Sequence, residues 1–269
     1  MTQCRHCGGS GVVFDRSNPP GELRLCECIK NACGCGGRPP YETFTDDGVP
    51  GWCPCAVPRT KLDRTRIAFR DAGIPRKYIW KFSEDFSTDH LHENRTALVT
   101  ANRILGSIAT IRETSAEEWD QGFYLWGPAG GGKTLLAAIF LQELMLKYGL
   151  PGRFVDLSRQ FFQRLKSSFD DSSSYGTAGH IMDELINVPF LVIDDFGTQR
   201  NTEWELEMLY NLIDSRYEDE RSTIITSNQN IAEYKKLASG RIYSRVLEMC
   251  RIIFVDLPDY RELFSRTME

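Results

Sequence analysis

The chain has 269 residues, 41% of them hydrophobic and 26% charged, which allows one sizeable core with a small second unit beside it. A net charge of −5 excludes attraction to nucleic acid or an anionic membrane through overall charge, so any such contact has to be local. The amino terminus MTQCRHC has no apolar h-region, and no stretch approaches the roughly 20 apolar residues of a membrane span. No membrane is therefore expected, and the expected compartment is the cytoplasm, where thiols stay reduced.

Cysteine dominates residues 1–58. Eight of the nine cysteines lie there, as Cys4-x-x-Cys7 and Cys26-x-Cys28, then Cys33-x-Cys35 and Cys53-x-Cys55. Each half opens on a close pair followed by two glycines and closes on Cys-x-Cys after an apolar residue, Leu25 or Trp52. This duplicated unit predicts two tetrahedral four-cysteine sites holding two Zn2+ ions. They would staple a segment too poor in periodic apolar residues to build its own core. An iron–sulfur cluster, disulfides or redox thiols are the competing readings, and the spacing leaves the pairing of the knuckles open. Cys250, alone in EMCRIIF, reads as a buried core thiol.

RTKLDRTRIAFRDA (59–72) reads as a mostly exposed helix ending at Gly73, and GIPRKYIWKF as an extended connector, with Pro75 biasing Ile74 away from helix. Residues 59–93 thus form a linker, and over 94–269 helix and strand alternate. NRTALVTANRILGSIATIRE is a long amphipathic helix, GFYLWG (122–127) a buried strand, TLLAAIFLQELMLKY an apolar helix and RFVDL (153–157) the second strand. SRQFFQRLKSSF and HIMDELI are helices before FLVIDD (190–195), the third strand. TEWELEMLYNLIDSRYE is a helix, STIITSN (222–228) the fourth strand, RIYSRVLEM a helix and RIIFVDL (251–257) the fifth strand. Five apolar strands with helical crossovers imply an α/β fold: a parallel sheet covered by helices on both faces.

GPAGGGKT fits the phosphate-loop pattern and lies between a strand and an apolar helix, as that pattern requires. Its Gly127, Pro128, Ala129, Gly130, Gly131 and Gly132 would turn backbone N–H groups toward phosphate oxygens, with the helix terminus adding positive potential. Lys133 would reach the β- and γ-phosphates of ATP, and the Thr134 hydroxyl would bind Mg2+. In FLVIDD, Asp194 is assigned to Mg2+ through water, and Asp195 to orienting the attacking water. The alternative is that these acids cap the next helix, a task Asn201 or Thr202 can perform instead. Asn228, ending the fourth strand, is suited to hold the nucleophilic water.

The order of phosphate loop, acidic strand, TSN and SRV resembles the AAA+ ATPases over residues 94–260. AGIPRKYIWKF, HIMDELINVPFLVIDDFGTQ and DLPDYR narrow the resemblance, over residues 66–262, to the DnaC/DnaI helicase loaders and the related IstB transposition ATPases. CRHCGGSG is similar to the DnaJ cysteine-rich region. The resemblance implies an AAA+ core in which Arg245 of GRIYSRV, one helical turn from Arg241, serves as an arginine finger for a neighbouring subunit's ATP. Only DYRELFSRTME remains at the end, so a core without a helical lid is expected, with weak ATP binding in the monomer and self-association through AAA+ interfaces. By the same resemblance Lys166, Phe169, Thr202 and Trp204 would contact single-stranded DNA, a cation, two aromatics and a hydroxyl being a sensible set. Core packing of Phe169 and Trp204 is the alternative, and Asp170 and Asp171 nearby make any such binding salt-sensitive. The implied function is ATP-dependent loading of a replicative ring helicase, a DnaB-type hexamer, onto single-stranded DNA, with the zinc-bearing head gripping the helicase. An IstB-like transposition ATPase acting on duplex DNA, or a zinc adaptor that uses ATP binding as a switch, are the alternatives. A ClpX-type unfoldase also joins a zinc domain to such a core, but the missing lid argues against it.

Overall fold

Close cysteine pairs and glycine turns divide the first segment into two β-hairpins. The computed structural model describes residues 4–17, 21–44, 47–91, 94–114, 122–157, 161–162, 165, 177–197 and 202–259. Strand β1 (Val12–Asp15) pairs antiparallel with β2 (Glu22–Leu25), placing Val12 opposite Leu25 and Phe14 opposite Leu23 on one face. A short helix α1 (Glu27–Asn31) follows. Then β3 (Glu42–Phe44) pairs with β4 (Pro50–Trp52), Glu42 opposite Trp52 and Phe44 opposite Pro50.

Helix α2 (Ala56–Asp71) corrects the expectation of a mostly exposed helix. Pro58, Leu62, Thr65, Ala68 and Phe69 are buried along one side, because α2 lies against the first hairpin and against the helix and strand of residues 133–148 and 152–156 together. Most of the charged residues that looked dominant in sequence lie on its other side, while Lys61 and Arg66 flank the packed side and donate to the carbonyls of Lys147 and Leu23. The connector after it is also not extended. The N–H groups of Tyr78 and Ile79 both donate to the carbonyl of Pro75 at 2.8 and 3.1 Å, coiling it into turns. Trp80 of that turn is sandwiched between Phe14 of the first hairpin (centroids 5.1 Å apart) and Phe69 of α2 (4.9 Å).

Helix α3 (Arg95–Glu113) is capped by Asn94, whose side chain accepts from the Ala97 N–H. Strand β5 (Gly122–Trp126), helix α4 (Lys133–Tyr148), strand β6 (Gly152–Asp156), helix α5 (Thr177–Asn187) and strand β7 (Phe190–Phe196) follow. Next come helix α6 (Glu203–Glu218), strand β8 (Thr223–Ser227), a 3₁₀ helix (Ile231–Gly240) absent from the sequence reading, helix α7 (Arg241–Met249) and strand β9 (Cys250–Phe254). The five strands are all parallel, in the order β6-β7-β8-β5-β9. Alternate side chains face opposite ways: Phe123, Leu125 and Ile224 join α3 and α4, while Tyr124, Leu191 and Ile225 join α5, α6 and α7. β5 precedes the other sheet strands in the chain yet sits between β8 and β9. The loop leaving it therefore opens into the crevice at a topological switch point. Of the predicted helix SRQFFQRLKSSF, only Phe161, Phe162 and Leu165 are described, and Phe162 and Leu165 are buried.

Arg216 is fully buried beneath the first residues of β7 and β8. Its guanidinium donates to the carbonyls of Leu185 (2.8 Å), Val188 (2.7 Å) and Ser222 (2.6 Å) and to Thr223 Oγ1 (2.9 Å). It thereby satisfies carbonyls left open where α5 ends and ties α5, α6 and β8 together.

Candidate phosphate-loop site and metal centres

The phosphate loop leaves the end of β5 and winds into α4. Gly127 donates its N–H to the Ser227 carbonyl at 3.2 Å, pinning the loop to β8. Gly130 has φ +83°, and a Cβ there would fall 2.0 Å from the carboxyl carbon of Asp259, so both conformation and space require glycine. Lys133 is buried, its Nζ donating to the carbonyls of Gly127 (3.0 Å) and Pro128 (2.7 Å) inside the loop's curve. A phosphate entering the loop would compete with those two carbonyls for the ammonium.

The two acids end on a β-bulge. Register between β7 and β8 shifts between Ile193 and Phe196, and Asp195 adopts φ +56°. A bulge of this kind re-aims side chains at the strand end. Asp194 is buried, and its Oδ1 accepts from Thr226 Oγ1 at 2.6 Å, while the Asp195 N–H donates to the same hydroxyl at 3.0 Å. Burial pushes the Asp194 carboxyl up to about 6, opposed by the hydroxyls of Thr226 and Thr134 that hydrogen-bond it. Thr134 and Asp194, the two expected Mg2+ partners, are thus brought together.

A cavity of about 290 Å³ is lined by the loop from Ala129 to Leu135, by Asp195 and Asn228, and by Tyr78, Phe86, Leu257 and Pro258. The last four and Thr226 are what sequence reasoning missed. The aromatic cluster of the connector was the signal for Tyr78 and Phe86. Thr226 was recognisable only as the polar residue in TSN that faces the acids from the adjacent strand.

The cysteines converge as two separate groups: Cys4, Cys7, Cys26 and Cys28, and Cys33, Cys35, Cys53 and Cys55, with no need of His6. These groups are the two sequential units. All nine thiols are free. Sulfurs lie 3.8 Å (Cys4–Cys26) and 3.7 Å (Cys7–Cys28) apart in the first group and 3.5 to 3.9 Å apart in the second. A tetrahedral ion with sulfur ligands at about 2.3 Å requires sulfurs about 3.8 Å apart, so both groups fit a zinc-sized ion. Backbone N–H groups of Cys7 and His6 hold the Cys4 thiol down to about 6, and those of Cys55, Cys35 and Gly34 do so for Cys53. Arg59 of α2 donates its Nε to Cys55 Sγ at 3.4 Å, attaching the second group to the helix. Cys250 is buried and apart from both groups.

Arg245 is not at the cavity. Its guanidinium is ion-paired with Asp214 of α6 and lies over the Tyr217 ring at 5.1 Å, while Arg241 lies over Tyr210 at 4.5 Å. Thr202 is the N-cap of α6, its hydroxyl accepting from the Glu205 N–H in a capping box. Trp204 is half-buried and meets Phe162 edge-on at 6.2 Å. Both therefore have structural tasks, and Lys166 and Phe169 lie outside the described residues. Among the described residues no helix is long and apolar enough to cross a membrane.

Similarity to known proteins follows this geometry. The replicative helicase loader DnaC of Escherichia coli (strain K12) is 29% identical over 133 residues, 48% of this chain and 53% of that protein. The uncharacterized protein YdaV of the same strain is 33% identical over 124 residues, 46% and 48% of the two chains. The chain thus spans about half the length of these curated relatives. The crystal structure of the DnaC helicase loader matches with TM-score 0.56 at 26% identity, covering 67% of this chain and 99% of that one. The replication initiator DnaA bound to AMPPCP and single-stranded DNA matches with TM-score 0.51 at 18% identity, over 72% of this chain and 55% of that one, a likeness of fold. The fold is that of an AAA+ ATPase core. Residues 93–264 match the family described as IstB-like ATP binding protein, and the chain belongs to that family.

Proposed function

We propose that the chain binds and hydrolyses ATP at the phosphate-loop cavity and uses that cycle to load a replicative ring helicase onto single-stranded DNA in the cytoplasm. One observation carries the reading: Lys133, Thr134, Asp195 and Asn228 face one cavity, with Asp194 hydrogen-bonded to Thr134 behind it. The similarity to loaders supplies the partner class.

In this reading the loop amides and Lys133 hold the phosphates, and Tyr78, Phe86, Leu257 and Pro258 enclose the base. Thr134 and, through water, Asp194 would hold Mg2+, which when bound would supply positive charge to offset that of the phosphates. Asp195 orients water and accepts its proton as the water oxygen bonds to the γ-phosphorus and ADP departs with the bridging oxygen. Asn228 positions the same water. Arg245 acts on the neighbouring subunit's ATP, exchanging its pairing with Asp214 for the γ-phosphate when subunits assemble. Residues 1–58 form the head that grips the helicase, each cysteine group holding one Zn2+ as a four-thiolate crosslink. Residues 59–93 link this head to the ATPase unit of residues 94–269. Lys166 and Phe169, with Thr202 and Trp204, are the residues assigned to contact with the DNA strand.

Binding of the helicase by the full chain tests this. With a non-hydrolysable ATP analogue the two should stay together, and ATP should release them in wild type but not in Asp195→Asn. Association indifferent to nucleotide in both would contradict the reading. The family match favours a second reading, an IstB-like ATPase working on duplex DNA; turnover stimulated by duplex and not by single strands would select it.

A further inference from the structure

The two hairpins are near-copies, but only one is covered. Aligned on the apolar residue before each closing Cys-x-Cys, the registers Val12–Leu25 and Phe14–Leu23 correspond to Glu42–Trp52 and Phe44–Pro50. Opposed residues share a face, so Val12, Phe14, Leu23 and Leu25 form one surface, and Glu42, Phe44, Pro50 and Trp52 its equivalent. The first is buried, with Leu23 at 2% and Leu25 at 6% exposure. The second is bare, with Phe44 at 70% and Trp52 at 72%. Val49 and Val57, near it in sequence, are also exposed. An aromatic pair left in water on a rigid hairpin is a recognition surface rather than scattered apolar exposure.

What covers the first face indicates what fits the second. Helix α2 lies on β1 and β2, presenting Leu62 and Phe69, two turns apart on one side. Between them Arg66 donates to the Leu23 carbonyl at 2.8 Å. On the second hairpin the position of Val12 is taken by Glu42, and Asp47 is exposed in its turn, so the bare face adds negative charge to the same shape.

We propose that the Phe44–Pro50–Trp52 face docks an amphipathic helix of a partner protein that carries apolar side chains two turns apart with a basic residue between them. The duplication then divides the labour: the first unit anchors the head to the ATPase, and the second holds the partner. This rests on the loader reading for the partner's identity, which makes the helix one borne by the replicative ring helicase.

Affinity of the full chain for its host's ring helicase is the test, with two zinc ions per chain and unchanged nucleotide affinity as folding controls. Phe44→Ala with Trp52→Ala should weaken binding at least about tenfold, as loss of central aromatic anchors does. Glu42→Lys, which removes no apolar contact, should weaken it and flatten its salt dependence. A photo-crosslinker at position 52 should mark a lysine- or arginine-bearing helix of the helicase. Wild type that binds while all variants bind equally well overturns this surface and leaves the loader reading standing. Wild type that does not bind the helicase overturns the loader reading and this occupant with it. Self-association that the variants abolish, with helicase binding intact, assigns the face to a second copy and also overturns the proposal.

Discussion

Thr226 serves both acids of the neighbouring strand: its hydroxyl donates to Asp194 Oδ1 at 2.6 Å and accepts from the Asp195 N–H at 3.0 Å. One side chain on β8 thus steadies the carboxyl assigned to Mg2+ and the backbone that aims the carboxyl assigned to water.

Thr226→Val keeps the shape and removes both bonds. Burial raises the Asp194 carboxyl to about 6 and the Thr226 hydroxyl lowers it, so removing the hydroxyl moves it higher. Mg2+ needs the ionised carboxyl, so activity is present above that value and lost as pH falls through it. The acid limb of the turnover–pH profile should shift to higher pH in the variant, with a lower maximum. An unmoved limb would show that Asp194 does not titrate with turnover.

Asp259 lies against Gly130, placing a carboxylate at the mouth of a loop read as receiving anionic phosphates. Two like charges about 4 Å apart in water cost about 1 kcal/mol. Asp259→Asn should therefore tighten ATP binding about fivefold by titration calorimetry, and Gly130→Ala should abolish it. Weaker binding in Asp259→Asn would mean that the carboxylate organises the loop.

Arg245→Ala should leave ATP affinity of the dilute chain unchanged and cut turnover of the assembled protein by about a thousandfold, the scale of a lost arginine finger. Turnover per wild-type subunit should fall on dilution. Turnover constant across dilution would confine Arg245 to its contacts with Asp214 and Tyr217.

Arg216→Met leaves the carbonyls of Leu185, Ile186, Val188, Pro189 and Ser222, and Thr223 Oγ1, without this buried donor. A buried acceptor left without its donor costs about 1–3 kcal/mol, so losing several should lower the unfolding temperature by roughly 10 °C in scanning calorimetry. An unchanged unfolding temperature would show that water replaces the guanidinium.

The two metal groups should also differ. Each chain should carry about two zinc ions, and Cys7→Ser and Cys35→Ser should each lose one. Only Cys7→Ser should also lower the stability of the ATPase unit, because the first hairpin carries Phe14 against Trp80 and Leu23 and Leu25 into the shared core. Equal destabilisation by both would contradict the separate roles of the hairpins.

Sequence periodicity found the strands because the central ones, β5, β7 and β8, are apolar on both faces, and the motifs at their ends named Lys133, Thr134, Asp194 and Asp195. Cysteine spacing was equally legible, since metal ligation ties distance in sequence to distance in space. What pattern could not reach were contacts made across the fold. Thr226 matters through a strand brought alongside only by the crossover, and nothing in the sequence sets Arg216 apart from the other charges of its helix. The burial of α2 was missed for a related reason: its apolar side is narrow and flanked by arginines, and its burial depends on two partners distant in the chain.

The most direct measurement of the central claim is helicase loading itself: deposition of the ring helicase on closed circular single-stranded DNA, followed by strand unwinding. The account predicts that the wild-type chain with ATP accelerates loading, that Lys133→Ala does not, and that Asp195→Asn leaves the helicase bound but inactive. Loading unchanged by the wild-type chain, or promoted equally by Lys133→Ala, would contradict it.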